Sequence, residues 1–180
     1  MRAVALLRGI NVGRGNRVAM ADLRAAISAG GFADVATVLA SGNVIFTMPP
    51  RLKPAAAAAR LEEVLAGELG LGARATVVTA ADLYAVVAER PRRFASADGS
   101  RLLAGFARVP DALDRLCPLA ARKWEPAALV VTAHAAWLWC PNGILADDLF
   151  EQVGSLLRDD LTTRNWNTVQ KLHATLEGSR

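Results

Sequence analysis

The apolar positions alternate between short unbroken runs and longer periodic stretches. Residues 3–7, Ala-Val-Ala-Leu-Leu, form a continuous apolar run, consistent with a buried strand. Residues 20–29 follow, with Leu23 and Ile27 four apart on one helical face, and Gly30-Gly31 stop that helix. Residues 35–39 and 44–47 read as strands flanking Ser41-Gly42-Asn43, a turn or bulge signal because Gly and Asn tolerate positive φ. Pro49-Pro50 breaks the sheet pattern. Residues 54–69 predict a helix whose apolar stripe is Leu61, Val64, Leu65 and Leu69, closed by Gly70 and Gly72. Residues 75–79 are β-branched and read as a further strand. The order is βαββαβ, that of a ferredoxin-like antiparallel sheet with two helices on one face.

The second half resembles the first in order. A short helix over 81–89 is stopped by Pro91, and the breakers and arginines of 90–100 mark the boundary. Residues 102–109 are strand-like, 111–121 helical, and 128–132 and 136–140 strand-like. Residues 144–157 predict a helix with Leu145, Leu149 and Val153 in line. The expected fold is therefore α+β, with two ferredoxin-like (βαββαβ-type) subdomains as an internal structural repeat, plus a C-terminal helix. The expected domains are 1–90 and 91–180, forming one compact unit. Near the end, residues 162–168 are densely polar, and Val169, Leu172 and Leu176 supply the face of the last helix. Asn167 with Gln170 resembles a capping box, which puts Arg164, Asn165 and Trp166 just upstream of a helix N-terminus.

Composition narrows the class. Of 180 residues 53% are apolar, too many for a disordered chain. Net charge is +4, but 18 of the 21 basic residues are arginines scattered along the chain, so charge alone is a weak sign of a polyanionic partner. The first apolar run is too short for a signal peptide, and no run approaches a membrane span. Cys117 and Cys140 lack a paired spacing and read as reduced thiols. A cytoplasmic protein with no membrane partner is expected.

The stretch with most chemical content is Leu7-Arg8-Gly9-Ile10-Asn11-Val12-Gly13-Arg14-Gly15-Asn16-Arg17. It lies between the first strand and the first helix, where a backbone can approach an anion. Gly13-x-Gly15 begins a dinucleotide fingerprint, but Val18 stands where its third glycine belongs. Gly9 and Gly13 are too close for a P-loop, and no Lys-Ser/Thr pair follows. Arg8 can donate as a fork, with Asn11 as a second polar contact. In the C-terminal segment, Arg164 can grip an anion, Asn165 and Asn167 can read a polar edge, and Trp166 can stack on a ring. Catalysis finds little support: His134 and His173 fall in no metal-ligand spacing, and there is no nucleophile elbow. No metal site is expected. Asp147-Asp148 and Asp159-Asp160 are adjacent pairs that do not share a helix face.

The segments 5–13, 20–24 and 41–46, together with Thr162-Thr163-Arg164-Asn165-Trp166-Asn167-Thr168-Val169, resemble the bacterial family known as domain of unknown function 1697. The resemblance spans essentially the whole chain and implies a pair of ferredoxin-like subdomains, but it brings no activity. Arg8, Asn11, Ser41, Asn43, Arg164, Asn165 and Asn167 match the family's polar signature. This chain has Ala19 and Ala40 where members often carry Pro and Gln.

The leading expectation is one ligand site formed by the first loop, the Ser-Gly-Asn turn and the Arg-Asn-Trp-Asn segment. Its ligand would be a small anion, phosphate- or nucleotide-like, with Arg8, Asn11, Ser41, Asn43, Arg164, Asn165, Trp166 and Asn167 as the binding residues. The alternative is a single-stranded nucleic-acid module stacking bases on Phe106, Trp137 and Trp139. A third reading makes these motifs purely structural. Cofactor, reaction and oligomeric state are not specified.

Overall fold

A continuous apolar run in a strand calls for burial on both faces, and the first strand has it. In the computed structural model, which describes residues 1–11, 17–146 and 148–178, β1 (Arg2–Arg8) holds Ala3 to Leu7 at no more than 2% exposure. It lies between β3 (Asn43–Thr47) and β4 (Arg74–Thr79), with β2 (Ala33–Val38) outside β3, all antiparallel. Two helices, α1 (Met20–Ala29) and α2 (Pro54–Leu69), supply Leu23, Ile27, Leu61 and Leu65 to a core shared with Ala3, Ala5, Leu7 and Phe46. Pro54 opens α2, where a missing N–H costs nothing. Gly70 closes it at φ 63°, its N–H donating to the Ala66 carbonyl.

The chain divides into two units, Met1–Ala81 with Thr175–Arg180, and Asp82–Ala174. Helix α3 (Ala80–Ala88) carries the chain into the second unit. There β5 (Leu102–Ala107) lies between β7 (Ala136–Trp139) and β8 (Leu161–Asn165), with β6 (Ala128–Val131) outside β7. The helices are α4 (Cys117–Ala120), α5 (Asp148–Leu157) and α6 (Trp166–Glu177). The fold is α+β, with two four-stranded antiparallel sheets and six α-helices among the described residues. Each sheet runs second, third, first, fourth in its own strand order.

Three elements differ from expectation. Residues 111–121 are not one helix: a 3₁₀ turn at Asp114–Leu116 precedes the short α4, because Pro118 has no N–H for the preceding turn. Helix α5 starts at Asp148, after a turn in which Gly143 sits at φ 107°. Its buried face is therefore Leu149, Val153 and Leu157, and Leu145 is 98% exposed. The polar segment before the last helix is strand β8, whose Thr162, Thr163 and Arg164 pair with Phe106, Gly105 and Ala104.

Candidate functional site

The first cluster is at the C-terminal end of β1. Gly9 sits at φ 85° and Asn11 at φ 52°, the left-handed region that Gly and Asn tolerate best. Asn11 joins three segments. Its Nδ2 donates to the Ala40 carbonyl at 3.0 Å and to the Val18 carbonyl at 3.3 Å, while the Val18 N–H donates to its Oδ1 at 2.9 Å. One side chain thus ties the two ends of the loop together and fastens both to the β2–β3 turn. That turn is also held by the Leu7 N–H, which donates to the Gly42 carbonyl at 2.7 Å. Asn43 is buried, and its Nδ2 donates to the Val38 carbonyl at 3.1 Å and to Ser41 Oγ at 3.0 Å.

Arg8 is exposed at the strand end, directly opposite Arg74 in the β1–β4 register. Like charges facing each other across a strand pair repel. Glu62 offsets part of that repulsion, with Arg74 donating to its carboxylate at 3.2 Å. Beyond the loop, α1 begins at Met20 with no side-chain cap at Ala19. The Gly13-x-Gly15 fragment and Arg14 lie outside the described residues, as does Asp147 of the acidic pair.

The second cluster surrounds the start of α6. Asn165, not Asn167, is the cap: its Oδ1 accepts from the Thr168 N–H at 2.9 Å. Trp166 is the first helical residue and is 6% exposed. Its ring lies 5.6 Å from Trp137, with the Arg90 guanidinium 4.7 Å from its centroid. Packing thus occupies the ring that stacking on a ligand would need. Asn167 sits against Gly99, whose hypothetical Cβ would fall 2.1 Å from Asn167 Oδ1. Arg164 is half-buried and donates to the Thr163 carbonyl at 2.8 Å, and burial lowers its pKa to about 10. Phe106 and Trp137 are at most 1% exposed, which removes two of the three rings proposed for base stacking.

A feature without any local sequence signal is Glu89 with His134, 45 positions apart. His134 Nδ1 meets Glu89 Oε1 at 2.6 Å, and the His134 N–H donates to Oε2 at 3.1 Å. Burial alone would raise the Glu89 pKa. The bonds from His134 and Thr132 outweigh it and hold the carboxyl below its ordinary value. Among the described residues no three His, Cys, Asp or Glu side chains gather as a metal site, and no helix is long and apolar enough to cross a membrane.

A family model for proteins of unknown function, DUF1697, matches residues 1–137. The chain belongs to the DUF1697 family. The match ends inside β7, so it covers the first cluster and stops before Arg164 to Asn167. No curated protein sequence matches this DUF1697 chain. Among solved structures it is similar to the conserved bacterial protein SP0830 from Streptococcus pneumoniae. The TM-score is 0.77 at 23% identity, covering 98% of each chain, a likeness of fold.

Proposed function

We propose that this chain binds a small anionic ligand, phosphate- or nucleotide-like, at the arginine- and glycine-rich loop after β1. The observation that carries the reading is the Asn11 clamp. A loop whose ends are tied by one side chain at 2.9–3.3 Å loses less entropy on binding than an open one. Arg8 and Arg74 stand directly opposite in the β1–β4 register beside it, and two neighbouring guanidiniums suit an anionic group. The N-terminus of α1 adds backbone N–H groups with no side-chain cap. Ser41 and Asn43 support the loop from the adjoining turn. Arg164, Asn165, Trp166 and Asn167 have structural partners in the second unit, so the reading rests on the first cluster.

We read both units as ferredoxin-like, the second a structural repeat of the first. Their shared strand order supports this. A cytoplasmic setting fits two cysteines that form no disulfide.

The test is a thermal-shift series on wild type and Arg8→Ala with inorganic phosphate, mononucleotides and short single-stranded oligonucleotides. A ligand at 100-fold over its Kd adds about 2.7 kcal/mol. A shift with a small anion that disappears in Arg8→Ala supports the site. A shift with oligonucleotides alone, fading steeply with salt, moves the assignment to nucleic acid.

A further inference from the structure

We propose that Leu39 is the apolar wall of the site after β1, which rests on the anion-site reading and narrows its ligand to a nucleoside phosphate. The base lies on Leu39 and the phosphate on Arg8. Among the described residues Asn11, Asp34, Leu39, Arg51 and Arg158 are the non-glycine residues at positive φ. Asn and Asp tolerate that region best. Leu39, at φ 61°, is the one apolar side chain of the set, and it is 43% exposed. A bulky side chain held in this conformation is an outlier, and strain of that kind collects at ligand sites.

The turn itself does not require leucine. Glycine or asparagine at position 39 would reach φ 61° with less strain. At 43% exposure, packing against the core accounts for the leucine only in part. Its place in the fold accounts for the rest. The carbonyl of the next residue, Ala40, accepts from Asn11 Nδ2 at 3.0 Å, and the Leu7 N–H donates to the Gly42 carbonyl at 2.7 Å. Leu39 therefore stands on the turn that borders the segment from Arg8 to Asn11. Those two residues are three apart, at most about 11 Å of chain, a span that a mononucleotide bridges from phosphate to base. Trp166, at 6% exposure, is taken up by packing, so the apolar contact for a base falls to Leu39. An aliphatic side chain covers the flat face of a base through burial and dispersion and does not read its hydrogen-bonding edge. The four bases should therefore be held alike.

The test is isothermal titration calorimetry with ribose 5-phosphate and the four ribonucleoside 5′-monophosphates, on wild type, Leu39→Asn and Leu39→Ala. Each nucleotide should bind at least about fivefold more tightly than ribose 5-phosphate, the difference being the base. Both variants should erase that difference and leave the affinity for ribose 5-phosphate unchanged. Leu39→Asn, which suits φ 61°, should match or exceed wild type in Tm without ligand. Failure of every compound to bind overturns the anion site itself, and the assignment of Leu39 with it. Equal binding of ribose 5-phosphate and the nucleotides by wild type overturns the role of Leu39 alone and leaves the anion site standing. A preference for nucleotides that survives both substitutions does the same. Loss of the near-UV circular dichroism in Leu39→Asn would make Leu39 a packing residue and also overturns its role.

Discussion

The His134 ring nitrogen Nδ1 and the Glu89 carboxylate meet at 2.6 Å, joining the β6–β7 turn to the residue that follows α3. Glu89 has its folded-state pKa below the ordinary 4.5. A depressed carboxyl contributes stability that is full above the unfolded value and is lost as pH falls through the folded one. Both partners are partly exposed, so solvent screening keeps the contribution within about 1 kcal/mol. Glu89→Gln should lower Tm by about 2–4 °C near neutrality. The gap between wild type and variant should close below pH 4.5, as read from Tm against pH. A gap that stays constant into acid would falsify the assignment.

Gly42 joins the β2–β3 turn to β1. At φ 78°, with the Leu7 carbonyl oxygen 3.0 Å from where a Cβ would stand, it tolerates no side chain without a backbone shift. Gly42→Ala should cost about 1–3 kcal/mol. Urea denaturation measures the loss, and because the turn braces the Asn11 clamp, anion affinity should fall with it.

Asn165 satisfies an N–H at the start of α6. Asn165→Ala should cost about 1 kcal/mol, the usual effect of losing a cap. Asn167→Ala, without that bond, should cost less in the same unfolding experiment. Equal losses would return the cap to Asn167.

Gly99 and Asn167 form a size-matched pair. Gly99→Ala displaces the exposed Asn167 side chain from its rotamer and should be mildly destabilising, by about 0.5–1.5 kcal/mol. Asn167→Ala in the same chain should recover most of that loss. A double-mutant cycle with no coupling would show that the loop yields instead.

Much of the first unit was legible because its signals are local. Ala3 to Leu7, Pro54 and Gly70 each announce a strand or a helix end by residue type alone. The second unit was harder to read. Strand β8 carries Thr162, Thr163 and Arg164, with no alternation to mark it, and gains its place from pairing with β5. Leu145 has the spacing of a core residue, but Gly143 turns the chain before the helix begins. Among the polar candidates, the sequence singles out Asn11 and Asn165 without revealing their bonds. Asn11 depends on Ala40, 29 positions away, and Glu89 on His134, 45 away. Such contacts depend on tertiary folding, and no spacing rule anticipates them.

The position of β5 between β7 and β8 also sets a timetable for synthesis. Every strand of the first sheet has been made once the ribosome passes Thr79. Strand β5 ends at Ala107, yet its partners span Ala136–Trp139 and Leu161–Asn165. Until both emerge, the apolar β5 has open hydrogen-bonding edges, a state prone to misassociation. A nascent chain halted near residue 137 would still lack β8 and so leave that edge of β5 open. The late polar strand β8 thus closes the second sheet during biogenesis.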